Sequence, residues 1–127
     1  MDADEASSYA LLRIVPSLER GEALNAGIVL YCRRAKFLAM RWQIPDAALK
    51  ALAPDLDLEP VRANLTALER IAAGDESAGP VAAQEPSERF HWLVAPASTT
   101  LQPGPVHTGL TGNPEETLAR LFSDLIA

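Results

Sequence analysis

The chain has 127 residues, of which 48% are apolar and 22% charged, and this length and composition predict one globular domain rather than a disordered chain. No apolar run reaches the roughly 18 to 20 residues that cross a bilayer, and the formal net charge of −6 disfavours nucleic acids as partners. The single cysteine, Cys32, excludes an internal disulfide. Because the opening segment MDADEASS is acidic and polar, unlike a signal peptide, we expect a cytoplasmic protein.

Three strands are predicted early in the chain. Residues 9–15 (YALLRIV) and 25–32 (NAGIVLYC) are rich in Ile, Val, Leu and Tyr, and residues 36–42 alternate between two faces. Pro16 ends the first strand because it has no N–H for the ladder. Gly27 inside the second strand indicates a bulge or a close approach of two backbones. The pattern therefore predicts a three-stranded antiparallel meander.

Helix signals follow the meander and return at the end of the chain. A short helix is expected to start at Pro45 and to stop before Pro54. Asp57 is the expected N-cap of a longer helix whose apolar residues recur every three or four positions until Gly74. Asn113 is followed by a proline at the first helical position and by a glutamate three residues on, which predicts a capped C-terminal helix.

The remaining segment completes the predicted fold. Residues 89–95 (RFHWLVA) are interpreted as a fourth strand, whereas residues 98–110 contain two prolines that bar a regular central strand. The resulting order β-β-β-α-α-β-(β)-α predicts an α+β fold, with an antiparallel sheet of four to five strands and about three helices packed mainly on one face. We expect residues 1–8 to be disordered and residues 9–127 to form a single α+β domain.

Charge is distributed unevenly along the chain. Residues 10–50 hold seven basic and three acidic side chains, a net charge of +4, and the rest of the chain is acidic. Such a dipolar molecule is suited to docking on a charged protein partner. The alternative is that the basic residues are solvated strand and turn positions. A weaker hypothesis is contact with nucleic acid through Arg33, Arg34, Lys36 and Arg41.

Two polar stretches are the candidates for function. Both histidines, His91 and His107, lie in one of them, and across a hairpin they would form an acid–base pair or supply two metal ligands. Their spacing matches no recognised metal signature, so we assign no metal, no cofactor and no catalytic residue. The other stretch contains Arg20, which either holds a carboxylate or phosphate or forms a local ion pair. The residues expected to form a polar pocket or an interaction surface are Arg20, Glu22, Asn25, Arg89, His91, Trp92, Gln102, His107 and Thr108.

Three segments carry a resemblance to a known family. The stretches YALLRIVPSLERGEALNAGIVLYC, KFLAMRW and PSERFHWLVAPASTTLQPGPVHTGL resemble the bacterial family catalogued as domain of unknown function 3037, from about Tyr9 to Leu125. The resemblance implies no activity and no catalytic residues. Members of the family are often encoded beside a HipA-like protein kinase, which implies a shared complex or pathway. The family's motif positions include the polar residues named above.

Two functions from different classes remain open at the level of sequence. The first is a small accessory protein without catalytic activity that docks on a protein partner, with a HipA-like kinase as the partner that the resemblance implies. The second is a small enzyme or ligand-binding protein whose histidine, arginine and glutamine side chains converge in one pocket. The missing catalytic signatures favour the first, and neither hypothesis involves a membrane.

Overall fold

The predicted meander forms the centre of the fold. The computed structural model describes residues 4–97 and 99–127, and its sheet begins with β1 (Glu5–Ile14), β2 (Leu24–Cys32) and β3 (Phe37–Trp42). Neighbouring strands of the three pair antiparallel. The branched and aromatic residues that predicted these strands fill the middle of the sheet, where β2 is buried along most of its length.

Two late strands share the remaining side of β1. β4 (Leu101–Pro103) pairs with residues 12–14 and β5 (His107–Thr111) pairs with residues 5–9, both antiparallel. β1 therefore begins at Glu5 rather than at residue 9, and residues 5–8, which were expected to be disordered, are strand. The physical reason is that β5 supplies a hydrogen-bonding partner to this polar segment, which has no apolar pattern of its own.

The three helices that local signals predicted are present. They are α1 (Asp46–Leu52), α2 (Leu58–Ala72) and α4 (Pro114–Leu125). Both predicted caps are made, because the side chain of Asp57 accepts a hydrogen bond from the N–H of Glu59 and that of Asn113 accepts one from the N–H of Glu116.

The prediction of a strand over residues 89–95 was wrong. This segment belongs to α3 (Pro86–Leu93), which two short 3-10 turns precede. Pro86 suits the first turn of a helix, and the helical spacing buries Phe90 and Leu93 together. The ring of Phe90 stacks on Tyr31 with centroids 5.2 Å apart. The described residues thus form an α+β fold with five strands and four α-helices, which confirms the predicted fold class with one helix more than about three.

The helices cover both faces of the sheet unequally. On one face, named here the α2 face, buried residues such as Leu12 and Val29 pack with residues of α1, α2 and α3. On the other, the α4 face, Ile28 and Leu30 pack against Leu118 of α4. Side chains of a strand alternate between these faces, so neighbours in sequence belong to different cores.

A bulge in β2 confirms the interpretation of Gly27. Leu12 is opposite Gly27 while Arg13 is opposite Asn25, which leaves Ala26 as the extra residue. A β-carbon on Gly27 would lie 3.2 Å from the Cβ of Trp42 and 3.5 Å from that of Leu12. Glycine therefore permits the close strand approach, and the bulge sets Asn25 beside Arg13.

Candidate functional site

The structure distributes the predicted site residues over separate places. Arg20 and Glu22 lie in the exposed loop between β1 and β2, where they form an ion pair. The hydrogen bond to Glu22, followed by its charge, raises the pKa of the Arg20 guanidinium above its ordinary value. An exposed pair of this kind adds little stability. Of the two interpretations of Arg20, the structure shows the local ion pair.

Arg89 has an internal role at the end of another helix. It belongs to α3, and its Nη1 donates hydrogen bonds to the carbonyls of Ile71 and Ala72 at 3.1 and 2.8 Å. Its Nε donates to the carbonyl of Gln84 at 3.0 Å. A cation at the C-terminal end of α2 also complements the helix dipole. These contacts fix the packing of α3 on α2.

The two histidines lie on opposite sides of the sheet. His91 is exposed on α3, on the α2 face, and its Nδ1 lies 2.7 Å from the carbonyl oxygen of Ser87. His107 is on β5, and its ring packs on Tyr9 on the α4 face, with centroids 5.1 Å apart. A joint acid–base or metal-binding role for the pair therefore has no geometric basis. Trp92, next to His91, is 47% exposed.

Three of the predicted residues do gather, around an arginine that the sequence analysis did not select. Arg13 of β1 is opposite Asn25 of β2 and opposite Gln102 of β4, so the three polar side chains form a row across three strands. His107 follows beside this row. Arg13, Asn25 and His107, together with Leu11, Gly104 and Pro105, line a cavity of about 230 Å³ on the α4 face.

Two of the three side chains in this row form hydrogen bonds to backbone carbonyls. The Asn25 amide donates to the carbonyl of Leu125 at 3.3 Å, and the Gln102 amide donates to the carbonyl of Thr99 at 2.9 Å. The Arg13 Nε is buried and has no hydrogen-bond partner among the described residues. The signal for Arg13 in the sequence was a single charged residue inside the otherwise apolar stretch 9–15.

The last predicted residue, Thr108, lies on β5. Within the described ranges β5 pairs with β1 alone, so its other edge is unpaired. All of its residues except Thr111 are exposed, and Leu110 is 70% exposed. An unpaired strand edge offers backbone N–H and C=O groups to another chain.

Metal binding and membrane crossing find no support in residues 4–97 and 99–127. No cluster of three or more His, Cys, Asp or Glu side chains in these ranges is placed to hold a metal ion. None of the helices described there has the length and apolar character that spanning a bilayer requires.

Comparison with protein families identifies a relationship. The model of a family described as protein of unknown function (DUF3037) matches residues 9–126, nearly the whole chain. No curated protein and no solved structure matches the chain.

Proposed function

The chain belongs to the family described as protein of unknown function (DUF3037), and we propose that it is an accessory protein that binds a protein partner through the free edge of β5. The observation that carries the proposal is an edge strand without the usual protection against pairing. The partner supplies an extended segment that adds a strand to the sheet.

The hydrogen-bond pattern identifies the groups that this edge offers. The N–H of Gly104 donates to the carbonyl of Leu11 at 2.7 Å, and that of Val15 donates to the carbonyl of Thr100 at 2.6 Å. Odd-numbered residues of β1 therefore direct their peptide groups toward β4 and β5. Because peptide groups alternate sides along a strand, the backbone N–H and C=O of Thr108 and Leu110 point away from β1.

The amino-acid composition of β5 leaves its edge free to pair with another chain, whereas the edge of β4 is protected from such pairing. Its sequence, HTGLT, contains no proline, no lysine and no carboxylate, and no register shift interrupts its pairing. β4, in contrast, ends at Pro103, which has no N–H to offer. Leu110 adds an exposed apolar side chain to the open edge, and Val106 just before the strand is 45% exposed. Natural sheets rarely leave such an edge uncovered.

Charge favours a basic partner segment over a second copy of the chain. Acidic residues surround the end of β5, since Asp4 lies beside Gly112 and the first turn of α4 carries Glu115 and Glu116. The whole chain has a net charge of −6, so two copies repel each other. The segment that fits has basic residues near these carboxylates and an apolar residue over Leu110.

A HipA-like kinase is the first partner to test. The family resemblance supports this choice, because its members are often encoded beside such a kinase. The alternative of a small enzyme with a single pocket is weaker, since Arg89 and His91 lie away from Asn25 and His107. The cavity at Arg13 is considered separately below.

The experiment is affinity capture from the host with three baits: the wild-type chain, Leu110→Lys and Leu18→Lys. Leu18 is also an exposed leucine, at 59%, but it lies in the loop before β2, which makes it a matched control. We expect the wild-type and Leu18→Lys baits to retain the same protein and Leu110→Lys to bind it at least about tenfold more weakly. In the purified complex, we expect the backbone amide hydrogens of Thr108 and Leu110 to exchange with solvent more slowly than in the free chain.

Three results would overturn the proposal. They are the capture of no partner by any bait, equal retention of the partner by Leu110→Lys, and unchanged exchange at the two amides in the complex. A dimer of this chain that Leu110→Lys dissociates would assign the edge to a second copy instead. Circular dichroism of each variant verifies that the fold is intact.

A further inference from the structure

We infer that the cavity around Arg13 is a binding site for the carboxylate of a small organic acid with an apolar body. The site lies on the α4 face and is lined by residues of β1, β2 and β5 and by the Gly104–Pro105 turn. It is independent of the β5 edge, because its side chains and not its backbone edge would contact the ligand.

Arg13 is the first reason. Its Nε is buried without a hydrogen-bond partner, and none of the ion pairs found among the described residues includes it. Burying part of a cation without an internal counter-charge costs stability, so buried charges in proteins are normally paired. An external anion at the terminal nitrogens would supply the counter-charge that the described residues do not provide, while the Nε–H itself stays enclosed.

Gly104 is the second reason. A β-carbon at this position would lie 3.4 Å from the Arg13 Nε and 3.6 Å from its Cζ, so the turn passes directly over the guanidinium. The N–H of Gly104 is already bonded to the carbonyl of Leu11. The turn therefore encloses the Nε end of the guanidinium, and we infer that its two terminal nitrogens are the groups that a ligand in the cavity would contact.

The composition of the cavity selects the class of anion. Among the described residues, no aspartate or glutamate lines the cavity, Arg13 is its single permanent cation, and no helix N-terminus contributes N–H groups. One planar guanidinium matches a singly charged carboxylate in two parallel hydrogen bonds. Phosphate sites usually gather several cations or backbone N–H groups. The volume of about 230 Å³ is below that of most drug-sized sites, which restricts the ligand to a small acid.

The other residues that line the cavity would supply further hydrogen-bond donors and an apolar wall. The Asn25 amide group uses one hydrogen for the carbonyl of Leu125, and its second hydrogen is available to a carboxylate oxygen. The His107 ring, held against Tyr9, offers a further N–H donor. Leu11 and Pro105 form the apolar wall against which the body of the acid packs.

The test is a titration of the full ¹⁵N-labelled chain followed by NMR, with benzoate, acetate and inorganic phosphate as probes at constant ionic strength. The resonances of the Arg13 Nε–H, the Asn25 side-chain amide and the Gly104 amide report on the site. We expect saturable shifts with benzoate in the millimolar range, weaker binding of acetate, and binding at least about tenfold weaker in Arg13→Met.

Two variants are the controls. Arg41→Met removes an arginine from the same face, whose Cζ lies 4.4 Å from the Phe122 ring centroid, and should bind benzoate as the wild type does. Leu110→Lys should also leave benzoate binding unchanged, which separates a failure at this site from a failure at the β5 edge. The absence of saturation with benzoate, or equal binding by Arg13→Met, overturns the site. Tighter binding of phosphate than of benzoate overturns the class of ligand.

Discussion

Replacing Arg13 by methionine tests whether this arginine stabilises the fold or serves only ligand binding at the proposed site. Methionine keeps an unbranched apolar stem of similar reach on β1. It removes the guanidinium, whose Nε is buried and has no partner in the part of the chain that the structure describes. The change leaves the strand pairing of Arg13 with Asn25 and Gln102 in place, since that pairing uses the backbone.

The size of the effect follows from the unpaired donor. Leaving a buried polar group without a hydrogen bond costs about 1–3 kcal/mol of stability. Replacing that group by an apolar one recovers part of this free energy. Because the side chain of Arg13 is only half-buried, we expect the free energy of unfolding to stay unchanged or to rise by up to about 1 kcal/mol in Arg13→Met.

Urea denaturation at 25 °C, followed by tryptophan fluorescence and circular dichroism, measures this difference. Arg41→Met is the matched control, because Arg41 stacks on the Phe122 ring and its loss should cost about 0.5–1 kcal/mol. If Arg13→Met lowers the free energy of unfolding by more than about 1 kcal/mol, the arginine stabilises the fold and the reasoning is refuted.

Three further predictions concern the scaffold. Gly27→Ala should lower the free energy of unfolding by about 1–3 kcal/mol, because its methyl would lie 3.2 Å from the Cβ of Trp42 between two paired strands; an unchanged urea midpoint would contradict this. Asn113→Ala removes the cap of α4 and should cost about 1 kcal/mol by the same assay, whereas Asn113→Ser, which keeps a capping oxygen, should cost much less. The hydroxyl of Ser77 lowers the pKa of Asp75, so this carboxylate stabilises the fold above its ordinary pKa and loses that effect as the pH falls through the lowered one. Asp75→Asn should therefore lose less stability between neutral and acid pH than the wild type, and equal losses in a denaturation series over that range would contradict the assignment.

Much of the fold could be predicted from neighbouring residues alone. The caps Asp57 and Asn113 and the periodic apolar residues after them define α2 and α4, because a helix depends on contacts three and four residues apart. The meander is likewise local, since each of its strands pairs with the next in the chain. Gly27 marked the bulge by itself, because a glycine inside a strand has few other uses.

Prediction from local sequence patterns failed where contacts between distant segments determine the secondary structure. Alternation over residues 89–95 fits a strand as well as a short helix, and the choice was made by Phe90, which stacks on Tyr31 of β2. Residues 5–8 are strand because β5, about a hundred positions later in the chain, pairs with them.

Residue patterns alone predict the class of fold, the meander and the capped helices, because they depend on contacts within one segment or between strands that follow one another in the chain. Which polar residues meet depends on the tertiary structure. Asn25, Gln102 and His107 come together at Arg13 because strand register brings remote segments side by side, and His91 is excluded because its helix lies on the opposite face. Register is a property of paired strands, so no single stretch of the chain contains it.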